Sequence, residues 1–191
     1  EHLLEQGHRV IGQDNMNQYY DIRLKEYRLA RLKRHPRFTF IEGDIEEKEF
    51  VQKVLEEYPC KIIYNLAARA GVRYSLENPY VYLSTNILGT LNILEAMRHK
   101  SLNKIVLSST SSLYAGQKMP FNEELAVNKP ISPYAATKKG AEALCYTYHY
   151  LFNIDVSILR YFTVYGPAGR PNMCIFRFIK WIDEGTPIEL F

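Results

Sequence analysis

Short runs rich in β-branched and aromatic residues alternate with longer runs of helical periodicity from one end of the chain to the other. The spacing predicts strands at residues 10–14, 38–42, 61–66, 104–108 and 155–160, and helices at 18–34, 48–58, 79–99, 134–152 and 174–184. Val81, Leu83, Ile87, Leu91, Leu94 and Ala96 carry the periodicity of the third helix, and Pro133 stands where a proline favours the start of the fourth. Strands joined by helices of about ten or more residues need crossover connections, which make neighbouring strands parallel and cover both faces of the sheet. The expected class is α/β, a doubly wound parallel sheet.

A chain of 191 residues with 47% hydrophobic and 24% charged residues can bury a full core and is neither disordered nor fibrous in composition. Its net charge of +3 is too mild to call for nucleic acid. The densest basic stretch, residues 23–37, is broken by Glu26 and carries leucines at helical spacing, so it reads as a solvated helix face. Cys60, Cys145 and Cys174 are too far apart for a disulfide framework or a metal site, which points to a reducing compartment such as the cytoplasm. No apolar run approaches the ~18 residues a membrane span needs. Residues 1–7 read as the last turns of a helix feeding a strand, and 187–191 as the beginning of another extended run, so both ends are expected to be cut from something longer.

Asp14 closes the first strand. In a dinucleotide-binding βαβ unit an acid at that position accepts hydrogen bonds from the adenosine ribose and repels a 2′-phosphate, which favours NAD over NADP. The glycine-rich turn belongs about 20 residues upstream of such an acid, hence before residue 1. Gly43-Asp44-Ile45 follows the second strand, with Asp44 facing an adenine amino group and Ile45 its apolar face. Leu66-Ala67-Ala68-Arg69-Ala70-Gly71 follows the third, where small side chains let backbone approach a ligand or simply allow tight packing.

Tyr134 and Lys138 are four residues apart at the start of a predicted helix and therefore share a face. A nearby ammonium favours the phenolate over the phenol, making the tyrosine usable as a base. The spacing alone is weak, because Tyr114 and Lys118 repeat it in a stretch that Gly116 and Pro120 mark as loop. The hydroxyl cluster Ser109-Thr110-Ser111-Ser112, at the end of a strand, supplies the missing company. A Thr or Ser there can hold a substrate oxygen and relay a proton.

With these segments together, Asp14-Asn15-Met16-Asn17-Gln18-Tyr19-Tyr20-Asp21, Leu66 to Ser75, Ser109 to Ser112, Tyr134-Ala135-Ala136-Thr137-Lys138 and Arg160 to Met173, the chain resembles the extended short-chain dehydrogenase/reductase superfamily. Within it, the chain looks nearest to NAD-dependent sugar-nucleotide epimerases of the UDP-glucuronate 4-epimerase group. Departures are Arg69 where Gln is usual, Ala115 where Gly follows the tyrosine, and Asn172 where Asp is usual. The resemblance implies a Rossmann-like domain over residues 1–165 and the start of a substrate-binding part over 166–191. It implies NAD held by Asp14, Asn15, Asn17, Asp44, Ile45, Leu66, Ala67, Ala68, Ala70, Thr85, Ser108, Tyr134, Lys138 and Tyr161. It further implies Tyr134 as the base on the sugar 4-hydroxyl, hydride passing from C4 to NAD and back to the other face of a 4-keto sugar, Lys138 lowering the tyrosine pKa, and Thr110 on the 4-oxygen. Ser111, Ser112, Thr163 and Arg170 would hold the glucuronate carboxylate, and a homodimer would pair helices 79–99 and 134–152.

Relatives that expel a C6 hydroxyl place Asp-Glu after the catalytic Thr, and the decarboxylases carry a Glu nearby. Ser111 and Ser112 are poor acids for either step, which favours a 4-epimerase acting on a UDP-sugar. UDP-galactose 4-epimerase stays open, as does a cofactor-sensing module without turnover. Without a central first strand and its glycine loop, the 191 residues alone are expected to be unstable and to bind NAD poorly.

Overall fold

The computed structural model describes residues 1–100 and 102–189. The expected extended run at 187–191 lies partly outside the described residues. The chain divides into two compact units, one of residues 1–43 together with the stretch from Thr163 onward, the other Asp44–Phe162.

In the first unit a short helix, α1 (His2–Glu5), leads into β1 (Val10–Asp14). This strand pairs in parallel with β2 (Phe38–Glu42), Val10 opposite Phe38 and Asp14 opposite Glu42. The connecting helix α2 spans Ile22–Leu32, starting later than the expected residue 18. The reason is local side-chain chemistry. Asn15 Oδ1 accepts from the Asn17 N–H at 3.2 Å and Asn17 Oδ1 from the Tyr19 N–H at 3.2 Å, so these residues hold turns instead of a helix. Asp21 then caps α2 by accepting from the Arg23 N–H at 3.0 Å. Gly12 is required by the sheet, since a Cβ there would sit 2.8 Å from the Phe38 ring. The last helix, α8 (Cys174–Asp183), belongs to this unit.

The second unit contains α3 (Lys48–Glu57), β3 (Ile63–Asn65), α4 (Val72–Glu77), α5 (Tyr80–Tyr82), a π-helical turn (Leu83–Leu88), α6 (Gly89–Lys100), β4 (Lys104–Thr110), a 3-10 turn (Ser111–Tyr114), α7 (Pro133–Phe152) and β5 (Asp155–Tyr161). Its sheet runs β3-β4-β5, all parallel. The alternation of strands and helices is thus realised as parallel pairs with helical crossovers. Helix α4 falls where the sequence predicts no element, and the single helix expected at 79–99 is interrupted by the π turn. Leu94 and Met97 of α6, Ile105 and Leu107 of β4, and Cys145 of α7 form the centre of the core. Burying each such side chain is worth about 1.5–3 kcal/mol.

Helix α7 has strong boundaries. Ser132 Oγ accepts from the Ala135 N–H at 3.1 Å, Pro133 fills the first turn, and Asn153 ends the helix at φ +55°, in the left-handed region. Its first turns pack on the 3-10 turn, with Ala135 joining Leu113, Tyr114 and Val127 in a second buried cluster.

Candidate active site

The residues with chemical capacity in the second unit gather at the carboxyl ends of β3 and β4, where parallel sheets bind ligands. Tyr134 and Lys138 occupy the first turns of α7, one turn apart on one face. Lys138 is 4% exposed. Burial pulls its ammonium down to about 8, opposed first by the nearby Glu142 charge, so it is chiefly cationic near neutrality. The decoy Tyr114 is buried at the end of the 3-10 turn and stacks on Phe121 at 5.3 Å. That stacking and a hydrogen bond from Arg160 Nη1 to its Oη at 3.1 Å hold it in place.

Thr110 closes β4 and is buried. Its Oγ1 donates to Ser112 Oγ at 3.1 Å and accepts from the Ser112 N–H at 3.1 Å, capping the 3-10 turn that carries Ser111 and Ser112. Two polar atoms, Asn65 Oδ1 at the end of β3 and Ser108 Oγ on β4, are buried with no hydrogen-bond partner among the described residues. Orphans of this kind are uncommon in folded proteins.

The loop after β3 is shaped by the π turn. Asn86 Oδ1 accepts from the Arg69 N–H at 2.9 Å and its Nδ2 donates to the Arg69 carbonyl at 3.1 Å and to Thr137 Oγ1 at 3.0 Å. Thr137 Oγ1 in turn donates to the Tyr134 carbonyl at 2.9 Å. Tyr82 is fully buried, donates from Oη to the Gly71 carbonyl at 2.9 Å, and meets the Tyr134 ring edge-on at 6.0 Å. Gly71 has φ +115°, a backbone that a side chain would strain. Leu66, Ala67, Ala68 and Ala70 thus lie on a loop fixed at Arg69 and Gly71, with Leu66 and Ala67 exposed and Ala70 partly covered.

Asp44 and Ile45 open the second unit. Asn92 Nδ2 donates to the carbonyls of Ile45 and Glu46 at 2.9 and 3.0 Å. Ile45 lies against Gly89 so closely that a Cβ there would meet Ile45 Cδ1 at 2.4 Å. Thr85 and Ser84 of the π turn both donate to the Glu46 carboxylate, so Thr85 is placed at the loop's anchor. Tyr161 ends β5 partly exposed.

The remaining expected residues belong to the first unit. Asp14 Oδ1 accepts from the Met16 N–H at 2.7 Å and pairs with Lys25 Nζ at 2.9 Å. Asn17 Nδ2 donates to Asn15 Oδ1 at 2.6 Å. Thr163 is exposed, and Arg170 Nη2 contacts Met173 Sδ at 3.2 Å. Arg28 fastens this last loop to α2 by donating to the Ala168 carbonyl and, at 2.7 Å, to Tyr20 Oη.

The sequence reading missed Tyr82, Asn86, Glu142 and the inward role of Arg160. A signal existed for one of them. Asn86 and Thr90 are polar interruptions at inward positions of an otherwise apolar helical pattern, and burial of both requires partners.

The model of the family described as GDP-mannose 4,6 dehydratase matches residues 1–190. The chain belongs to that family. It is 56% identical over 191 residues to a UDP-glucuronate 4-epimerase of Thermodesulfobacterium geofontis (strain OPF15), covering 100% of this chain and 59% of that relative. Among solved structures it is similar to the UDP-glucuronic acid 4-epimerase of Bacillus cereus in complex with UDP-glucuronic acid and NAD, at TM-score 0.91 and 37% identity, covering 100% of this chain and 61% of the other. The UDP-glucose 4-epimerase of Thermus thermophilus in complex with NAD is matched at TM-score 0.84 and 29% identity, over 98% of this chain and 58% of the other. This family member therefore has the Rossmann-like fold of the extended short-chain enzymes and spans about three-fifths of the length of such relatives. Among its described residues no helix is long and apolar enough to cross a membrane.

Proposed function

We propose that this family member belongs to an NAD-dependent enzyme that epimerises C4 of a UDP-sugar, converting UDP-glucuronate to UDP-galacturonate. The observation that carries the reading is the acid–base pair Tyr134 and Lys138 at the start of α7, packed beside a β4 end that bears Thr110 and the neutral hydroxyls of Ser111 and Ser112. The name of the 56% identical relative and the ligands of the Bacillus cereus structure support it.

The residues present suit NAD. The two orphaned polar atoms, Asn65 Oδ1 at the end of β3 and Ser108 Oγ on β4, the glycine-turned loop after β3 and the held Asp44–Ile45 segment support that reading. Ser108, Leu66, Ala67, Ala68, Ala70, Thr85, Tyr161 and Lys138 would hold it, and the resemblance adds Asp14, Asn15 and Asn17. When bound, NAD supplies reversible hydride acceptance at the sugar C4.

The chain's own groups do the proton chemistry. Tyr134 Oη takes the proton of the sugar 4-hydroxyl and returns it after the 4-keto sugar has turned. Lys138 holds positive charge one helical turn away and so favours the phenolate. Thr110 Oγ1 bonds the 4-oxygen. Ser111, Ser112, Thr163 and Arg170 retain the carboxylate, for which the planar guanidinium is suited. Residues 1–165 form the cofactor part and 166–191 begin the substrate part. A homodimer would use the exposed aromatic side of α7, where Tyr146 and Tyr150 are 67% and 78% exposed, together with Tyr80 of α5.

The test is an assay of the protein, made at the length of its relatives, with UDP-glucuronate and UDP-glucose side by side, followed by NMR of the sugar protons. UDP-galacturonate as the product supports the reading. Conversion of UDP-glucose alone would move the substrate to the neutral sugar, and inertness toward both would overturn the reading.

A further inference from the structure

Glu142 lies one turn beyond Lys138 on the same face of α7, and only 4% of it is exposed. Its Oε1 accepts from Ser109 Oγ at 2.6 Å and from Arg160 Nε at 3.0 Å, and its Oε2 accepts from Arg160 Nη2 at 2.9 Å. Arg160 Nη1 donates to Tyr114 Oη at 3.1 Å, and the guanidinium lies over the Tyr114 ring. One carboxylate therefore ties three elements together. It joins α7 to β4 at the residue before Thr110, and through Arg160 it reaches β5 and the 3-10 turn that carries Ser111 and Ser112.

Stability alone does not call for such a pair, because well-packed apolar residues of similar volume commonly serve as well or better than a buried ion pair. The position is what distinguishes it. The carboxylate is one turn from Lys138, which burial pushes toward the neutral form, and it opposes that push. Burial also works against the Glu142 charge, but the hydrogen bonds from Arg160 and Ser109 outweigh it and keep the carboxyl below its usual value.

We propose that Glu142 is a positioning residue for the Tyr134–Lys138 pair: held by Ser109 and Arg160, it fixes the catalytic face of α7 against the end of β4 and places a negative charge one helical turn from Lys138. This inference rests on the epimerase reading given above. Besides Glu142, Cys145 is the group whose charge bears on Lys138, and burial pushes its thiol up to about 12, so it is neutral. The groups that touch Glu142 and Tyr134 add no second negative charge: Lys139, 3.7 Å from Glu142, and Arg160 are cationic, and Ser109 and Tyr82 bring a hydroxyl and a phenol.

The experiment is a carbon-13 NMR titration of the Lys138 side chain, assigned by its loss in Lys138→Arg, in the wild type, in Glu142→Gln and in the Glu142→Gln/Arg160→Gln double variant. Turnover and NAD affinity are measured on the same samples. We expect the Lys138 midpoint to move to lower pH by about one unit in Glu142→Gln, as loss of a nearby opposite charge requires, and in the same direction by less in the double variant, which also loses the like charge of Arg160. We expect kcat to fall about 10-fold with KM little changed, the pattern of an interaction that matters in the transition state. The double variant carries the test if Glu142→Gln alone does not fold, since it leaves no buried guanidinium unpaired. A wild-type Lys138 midpoint and restored turnover in the double variant would overturn the proposal and leave the pair a structural tie. Absence of turnover in the wild type would sink the epimerase reading, while the titration would still decide what Glu142 does to Lys138.

Discussion

Asn86 grips Arg69 by both of its backbone polar groups, accepting from the N–H at 2.9 Å and donating to the carbonyl at 3.1 Å, much as a neighbouring strand would. The amide is buried, so its removal strands the part-buried backbone groups of Arg69 and the buried hydroxyl of Thr137. Asn86→Ala is expected to cost about 1–3 kcal/mol of stability. The loss would concentrate in the loop after β3. Urea unfolding gives the total, and hydrogen exchange at residues 66–71 shows whether the loosening is local.

Tyr134→Phe removes the proposed base and little else, because the ring contact with Tyr82 does not need the hydroxyl. Turnover should drop by about 10²–10⁴-fold, the usual contribution of a positioned acid–base group. NAD affinity, read by titration, should stay near the wild-type value. Unchanged turnover would eliminate Tyr134 from the chemistry.

Lys138 makes a pH-dependent contribution whose sign is fixed by its environment. Its folded-state value of about 8 lies below the ordinary 10.5, so across that interval the unfolded chain binds more protons than the folded one. Stability attributable to this group therefore rises with pH between those values, and below them the buried charge is a standing cost. Replacing it by Met should raise the melting temperature near neutrality and flatten the rise on the alkaline side, while abolishing turnover. Thermal melts of both proteins across that pH range check the sign. The wild-type rate should decline as pH climbs through about 8, because the positive charge that favours the Tyr134 phenolate is lost.

Gly89 faces Ile45 with no room for a Cβ, which would lie 2.4 Å from Ile45 Cδ1. Gly89→Ala should cost about 1–3 kcal/mol through overpacking. It should also displace the Asp44–Ile45 segment and weaken NAD binding. Pairing it with Ile45→Ala reopens the space. Recovery of stability in the double variant, measured by denaturant midpoints, would tie the effect to this contact.

Much of the sheet was legible because its signal is local. Residues 10–14 and 38–42 were readable to the residue, since β-branched and aromatic side chains flanked by turn formers leave few alternatives. Tyr134 and Lys138 were legible as residues of one helix start, which Pro133 announces. The tertiary layer was not. Glu142 reads in sequence as one more exposed helical acid, and only the arrival of Ser109 and Arg160 from two strands makes it a buried tie. Helix α4 escaped because its six residues are too few for a periodic pattern. The delayed start of α2 is decided by the side chains of Asn15, Asn17 and Asp21 bonding nearby backbone, which helical periodicity does not register.

The π turn at Leu83–Leu88 also bears on which changes of chain length this segment can accept. A π turn holds one residue more than the α-helical ladder around it needs, so removing a residue there would leave a regular helix and no broken backbone bonds. The deletion would be silent for Gly89–Lys100, which stays seated in the core. Everything before it would rotate by about 100° about the helix axis. Tyr82 would swing away from Gly71 and Tyr134. The backbone ladder itself can therefore be shortened, yet its residue count is pinned by the side chain it must deliver on the far side.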